Sequence, residues 1–440
     1  MQNKNEFRKF ILSLFSLLLC IHLIAQISKT EKKLVSHVDK RTPEAIDLLK
    51  QVVNINSGTM NFEGVRKVGS IFMNELKDLG FETRWVSGDS FNRAGHLIAT
   101  HKGRWGRKIL LIGHLDTVFE PDSPFQTYKM LNDSIMQGPG VADMKGGNVI
   151  LILALQALKE EGLLTDMQLE IVMTGDEEAS GSPIELSKKD LVNAAKNAAV
   201  ALCYENGDGL STTAIVARRG SSDWTLTVKG NAAHSSQLFT ESVGAGAIYE
   251  ASRILNEFYI QLNKEENLTF SPGLIAGGNK ISFDTTTNTA SAFGKNNIVS
   301  QDVLVKGDLR AVSLEQLEKA RKIMKDIVAT NYPKTSAHID FGDGGYPPMS
   351  LTDGNKKLLS LYNQASIDLG FAPQTQVNPR NAGAADICFA NQWVDMALDG
   401  IGLPGADGHT INETGNLNYI SIEAKRSAVL IYRLTRVDGK

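Results

Sequence analysis

From about residue 36 the chain alternates two apolar periodicities. "TPEAIDLLKQVVNI" repeats apolar positions three and four apart, which predicts an amphipathic helix with Thr42 as N-cap and Pro43 in its first turn. "FEGVRKVGSIFMNELKDLG" predicts a second helix that stops at Gly80. "KILLIG" and "QLEIVMTG" are short continuous apolar runs, as in strands buried on both faces. Between them, "GGNVILILALQALKEEG" is apolar nearly all round until its last turn, so it predicts a deeply buried helix. Strand, helix, strand in this order gives a βαβ unit and a largely parallel sheet.

Near Arg218 the character changes. "SSDWTLTVKG" and "DVLVKGDLRAV" alternate apolar and polar residues, as half-exposed antiparallel strands do. Helical stretches lie at "GAGAIYEASRILNEFYIQL" and "SLEQLEKARKIMKDIVATN". The Ser-, Thr- and Asn-rich segment 282–297 reads as a loop or a long hairpin tip. After Pro333 helices return at "LTDGNKKLLSLYNQASIDLG" and "SIEAKRSAVLIYRLTRV". The pattern predicts an α/β protein whose largely parallel mixed sheet, flanked by helices, is built from 36–216 and 333–440, with a two-layer α+β domain inserted at 217–332.

Composition narrows the function classes. The chain has 440 residues, enough for two or three domains, and its formal net charge of −3 gives no basis for a nucleic-acid partner. Lys4, Arg8 and Lys9 precede the apolar run Phe10–Ala25, so residues 1–25 read as an export signal cleaved after Ala25. That expectation places the protein in the periplasm or outside the cell. The alternative is a retained anchor, and only then is a membrane a partner. Leu19 is bulky for a residue preceding a lipid-accepting Cys20. Cys203 and Cys388 sit in apolar surroundings and read as buried free thiols, with pairing after export as the alternative.

The candidate chemistry sits where the buried strands end. "LLIG" runs into His114 and Asp116, "IVMTG" into Asp176, Glu177 and Glu178, and "AVALCYE" ends on Glu205. Asp143 and His409 lie in the glycine-rich turns "GPGVADMKGG" and "GLPGADGHT". In open α/β sheets, sites form at the carboxyl ends of strands. Two imidazoles with several carboxylates and no cysteine suit zinc, cobalt or manganese. One divalent ion does not need so many anions. Two ions sharing a carboxylate, with one further carboxylate left as a base, account for them. Each piece alone has a plain reading: a structural histidine, an acidic helix start, a turn. The ordered set carries the hypothesis.

The ordered motifs "GHLDTVF", "GPGVADMKGG", "TGDEEASG", "NAAHSS" and "GLPGADGHT" resemble the co-catalytic di-zinc exopeptidase family of glutamate carboxypeptidases, aminoacylases and dipeptidases, and the carboxypeptidase branch in particular. The resemblance spans about residues 36–437. It implies two zinc ions, with Asp143 bridging, His114 and Glu205 on one ion, and Glu178 and His409 on the other. It implies Glu177 as general base and Asp116 as the residue that hydrogen-bonds the His114 ring. His234 would donate to the oxyanion from the inserted domain, often that of a partner subunit, hence a homodimer. Arg310 and Asn297, with Arg380 as a further candidate, would hold the substrate's carboxylate and carbonyl. The implied substrate is a peptide or N-acyl amino acid cleaved at the amide to its C-terminal residue. Neighbouring readings are an N-acyl amino acid amidohydrolase, a dipeptidase, or a non-catalytic zinc-binding dimeric module. The stretch from Gly277 to Asn297 is longer than the family pattern and lies just before Asn297.

Overall fold

The computed structural model describes residues 27–342 and 344–436. The expected export signal lies outside them.

A six-stranded sheet organises the larger domain. Glu82–Ser87 pairs antiparallel with Gly95–His101, which pairs antiparallel with Met167–Thr174. Trp105–His114, Val200–Cys203 and Met396–Leu398 then follow in parallel. The continuous apolar runs are explained by cover on both faces. Ile109, Leu111, Leu169, Ile171 and Leu202 enter one core, and Leu110, Ile112, Val172, Ala201 and Cys203 enter another. Successive side chains of a strand point to opposite faces, so both sets must be apolar. The first core includes Gly146–Glu160, whose residues 146–155 are all buried. This helix packs with Lys29–Val53 and Asn418–Thr435. Cys203 and Cys388 are free, buried thiols in the second core.

The first helix departs from the pattern. It begins at Lys29, and its N-cap is Ser28 rather than Thr42. The Ser28 hydroxyl accepts from the Glu31 N–H, and the Glu31 carboxylate accepts from the Ser28 N–H at 2.6 Å, forming a capping box. Thr42 instead donates its hydroxyl to the Val38 carbonyl, and Pro43 lies inside the helix. A proline removes one helical hydrogen bond. The buried stripe Leu34, Val38, Ala45, Leu49, Val52 continues across it, and that packing outweighs the loss.

The inserted domain is a four-stranded antiparallel sheet in the order Thr269–Gly278, Asp302–Arg310, Ser222–Lys229, Ser336–Phe341. Helices Gly246–Leu262 and Leu314–Val328 close a third core around Trp224, Leu226, Val305 and Phe258. The fourth strand corrects the boundary expected at 332. Ser336 to Phe341 pair with Lys229 to Trp224, so the insertion runs through Phe341. This edge strand does alternate, with Ile339 buried and Ala337 and Phe341 partly buried against the third core, but it lies past Pro333, where the insertion was expected to have ended. The segment 282–297 contains a hairpin, Lys280–Asp284 against Thr289–Phe293.

Candidate metal centre

The ends of three neighbouring parallel strands bring the expected residues together. His114 ends its strand, Glu177 and Glu178 follow Met167–Thr174, and Glu205 follows Val200–Cys203. The loops carrying Asp143 and His409 complete the cluster. His114 Nε2 lies 3.0 Å from Asp143 Oδ1 and 3.5 Å from Glu205 Oε1. His409 Nε2 lies 3.1 Å from Asp143 Oδ2 and 3.2 Å from Glu178 Oε2. The two oxygens of Asp143 therefore face two different imidazoles. His114, Asp143 and Glu178 place one potential ligand atom each within 4.8 Å of one another, and so do His114, Glu177 and Glu205. The His114 side chain is 1% exposed and that of His409 is 57% exposed, so the cluster opens on the His409 side.

Asp143 is held by its turn. Gly140 adopts φ +73°, a conformation favouring glycine, and a Cβ there would lie 2.6 Å from the Thr117 side chain. The buried Glu413 carboxylate accepts the N–H groups of Gly140, Ala142 and Asp143 at 3.0, 2.9 and 3.1 Å. Burial pushes the pKa of Glu413 up to about 7, against the pull of those three donors. Sequence reading missed Glu413. It lies four residues past His409 in "NETGN", where nothing distinguishes it from a surface turn.

The acidic run is pinned from several sides. Asp116 was expected to hydrogen-bond the His114 ring, and it does so through its backbone carbonyl rather than its carboxylate. Nδ1 of His114 lies 3.0 Å from the Asp116 backbone carbonyl and 3.5 Å from the carboxylate, the latter too long for a good hydrogen bond. The Asp116 carboxylate instead accepts the N–H groups of Glu177 and Glu178 at 3.0 and 3.1 Å, and the Thr59 hydroxyl at 2.7 Å. Asp176 points away from the cluster, accepting from Ser187 at 2.6 Å, Gly181 at 2.8 Å and Lys188 at 3.0 Å. The run Asp176–Glu178 thus splits into one structural carboxylate and two that face the cluster.

The electrostatics fit a cation. Burial raises the proton affinity of Glu177, Glu178 and Glu205, and neighbouring carboxylates add to it. Burial also acts on Asp143, yet hydrogen bonds from both imidazoles hold its pKa below the ordinary range. His409 is raised to about 11, first by its bond to Asp143 and then by its bond to Glu178. Burial opposes the charged form of His114, but its contacts with Asp116 and Asp143 raise it well above the usual value. The donor set of two imidazoles and three carboxylates, with Glu177 beside it, suits a pair of divalent ions.

The remaining expected residues fall into two groups. His234 and Asn297 sit side by side in the inserted domain: Ser235 N–H donates to the Asn297 carbonyl at 2.8 Å, and His234 bridges to Ile298. Both are exposed. His234 Nδ1 meets the Ser236 hydroxyl at 2.9 Å, and among the described residues no hydrogen bond joins His234 to the metal cluster. Arg310 and Arg380 lie where the two domains meet, and Arg219, which sequence reading did not single out, joins them. Arg219 donates to the Arg380 carbonyl at 3.1 Å and to Thr269 Oγ1 at 3.0 Å. Burial and the nearby guanidinium groups of Arg310 and Arg380 lower its pKa. Asp308 accepts from Arg310 at 2.7 Å.

This fold and this cluster define a metal-dependent hydrolase class. The chain belongs to peptidase family M20/M25/M40, whose pattern matches residues 110–432. Over 406 residues it is 25% identical to carboxypeptidase G2 of a Pseudomonas species, covering 91% of this chain and 90% of that one. Among solved structures, an aminopeptidase (PepT) of Bacillus cereus superposes with a TM-score of 0.70 at 18% identity, covering 90% of this chain and 99% of that one. The YXEP protein of Bacillus subtilis, described as a dinuclear metal-binding peptidase of the M20 family, superposes with a TM-score of 0.62 at 13% identity, covering 90% and 99%. The protein is accordingly a metallo-exopeptidase or amidohydrolase.

Proposed function

We propose that the protein hydrolyses the amide bond to a C-terminal amino acid, in the manner of a glutamate carboxypeptidase, with zinc as the metal. The observation that carries this reading is the pair of imidazoles joined through the two oxygens of Asp143, with Glu177 beside them. His114 and Glu205 would hold one ion, and Glu178 and His409 the other, with Asp143 shared. The ions would supply Lewis-acid chemistry, acidifying water and polarising a carbonyl. Glu177, half-buried and with raised proton affinity, is suited to take a proton from the attacking water and deliver it to the leaving amine. Asp116 and the His114 ring keep the cluster in register through the bonds described above. Arg310 and Arg380, with Arg219 beside them, offer guanidinium groups to the carboxylate of the C-terminal residue. A C-terminal glutamate fits this concentration of positive charge.

His234 and Asn297 would serve the reacting carbonyl across a homodimer formed through the inserted domain. Support comes from exposed Ile248 and Tyr249 on helix Gly246–Leu262 and exposed Ile275 on the edge strand Thr269–Gly278. An unpaired strand edge beside apolar side chains is a surface that association buries. The basic-then-apolar N-terminal sequence supports export of the protein.

The test is release of free amino acids from a panel of N-acyl amino acids and dipeptides, with zinc and after chelation. Metal-dependent release from N-blocked substrates, fastest for C-terminal glutamate, is the expected result. Turnover confined to dipeptides with free amines moves the protein to the dipeptidase reading. Binding of two metals without any turnover overturns the hydrolytic reading.

A further inference from the structure

Beneath the turn Asp176–Ser180 lies a second set of buried polar contacts that the metal cluster does not use. The Lys188 side chain is 1% exposed, and its ammonium lies 3.0 Å from both Asp176 Oδ1 and Asp386 Oδ1. Asp386 also accepts the Thr174 hydroxyl at the end of the strand that leads into this turn. The same ammonium stands 5.6 Å from the centre of the Tyr346 ring, which packs edge-on against Phe389. Tyr346 is therefore seated on a fixed floor of one ammonium held between two carboxylates. Its hydroxyl donates to the Glu177 backbone carbonyl at 2.8 Å. With its one proton used, the phenol oxygen accepts from the Ser180 hydroxyl at 2.7 Å.

The backbone of Tyr346 belongs to a different structure. The chain crosses between the two domains twice, and the crossings run side by side. Arg218 and Met349 exchange two backbone hydrogen bonds of 3.0 Å, and Ser221 N–H donates to the Tyr346 carbonyl at 3.0 Å. Their approach is close: a Cβ on Gly345 would lie 2.4 Å from the Ser221 carbonyl oxygen. Tyr346 thus holds the interdomain ribbon with its backbone, and the turn bearing Glu177 with its side chain.

We propose that Tyr346 is a positioning residue that couples the interdomain ribbon to Glu177, so that placement of the inserted domain over substrate and alignment of the base are linked. The proposal rests on the reading of Glu177 as the general base. A hydrogen bond to the carbonyl of Glu177 fixes the peptide plane from which its side chain departs. Small misalignments of a base are expensive in rate and nearly silent in binding.

The test uses the full-length, metal-loaded protein and the best substrate from the amino-acid release panel. Tyr346→Phe removes both hydroxyl bonds and keeps the ring over Lys188. The expected result is a roughly tenfold fall in kcat with KM within about twofold of wild type. Metal content and circular dichroism should be unchanged. Ser180→Ala should have a smaller effect, and the double variant should match Tyr346→Phe, because both changes act through one phenol. Wild-type kcat in Tyr346→Phe overturns the proposal. So does a loss that tracks lost metal, or full additivity in the double variant. Glu177→Gln is assayed in parallel to separate the two failures. Retained turnover there defeats the base assignment itself, whereas an inactive Glu177→Gln with a fully active Tyr346→Phe defeats only the coupling.

Discussion

At the scale of single residues, the run Asp176-Glu177-Glu178 shows how adjacent like charges are made tolerable. Each carboxylate faces a different environment: Asp176 meets Lys188, Glu178 meets His409, and Glu177 lies near His114. Glu177→Gln is expected to bind metal as wild type does and to lose about a thousandfold in turnover, the scale of a general base. Steady-state kinetics with metal analysis checks it. Asp176 has its pKa lowered to about 2: burial acts against this, and Lys188 is the largest favourable influence. A carboxylate depressed in the folded state contributes stability above its unfolded pKa and loses it as pH falls through the folded value. Asp176→Asn is therefore expected to lose about 3 kcal/mol at pH 7, because Lys188 is left with half its partners. That deficit should shrink between roughly pH 4 and pH 2, where the wild-type group itself protonates. Denaturant unfolding across pH measures both.

At the scale of elements, the site is a set of strand ends and turns, each anchored from outside the cluster. The turn 138–145 carries Asp143, which faces both imidazoles, and Glu413 gathers three of its N–H groups. Glu413→Ala leaves those donors buried and unpaired. It is expected to lower metal affinity by about ten- to a hundredfold while His114, Glu178 and His409 remain intact. Metal titration of the apo-protein tests this, with an unchanged affinity as the contrary outcome. The same dependence explains why the supporting residues escaped sequence reading. Ligands announce themselves by type and position at the end of an apolar run. Glu413, Lys188, Asp386 and Tyr346 are ordinary residues until folding brings them together from distances of up to 273 positions along the chain.

At the scale of the whole molecule, the two domains divide the labour. The larger one holds the cluster of imidazoles and carboxylates proposed to bind metal, and the inserted one carries His234, Asn297 and Arg310. His234 makes no hydrogen bond to the cluster among the described residues, and the proposed dimer would carry it to a second subunit's site. Two variants test this by complementation. Glu177→Gln and His234→Ala should each be nearly inactive alone. After mixing and exchange of subunits, about a quarter of wild-type activity should return, because half of the dimers are mixed and each has one intact site. Absence of recovery, with mixed dimers demonstrated, argues that His234 serves its own subunit. Tyr249→Asp should shift the protein to a monomer in sedimentation and lower turnover without removing metal.

The sequence by itself determined the three central parallel strands, the helix that backs them and which imidazoles and carboxylates stand at their ends. Short continuous apolar runs between turn signals fit strands buried on both faces, and the ordered set of imidazoles and carboxylates at their ends carries the metal hypothesis. The Ser-, Thr- and Asn-rich composition marked 282–297 as a loop or hairpin tip, and alternation marked the two strands Ser222–Lys229 and Asp302–Arg310 of the insertion, because composition and periodicity are local properties. Only the tertiary structure decided what depends on partners distant in sequence. The edge strand Ser336–Phe341 joins the insertion although it buries a single side chain, and the first helix runs through Pro43 because its apolar stripe packs on both sides of it. The Asp116 carboxylate turned from the His114 ring to the N–H groups of the acidic turn, where two backbone donors outbid one imidazole. Hydrogen bonds to backbone groups carry no residue-type signature. For that reason the residues that hold the site in place were invisible along the chain, while those that face its centre were not.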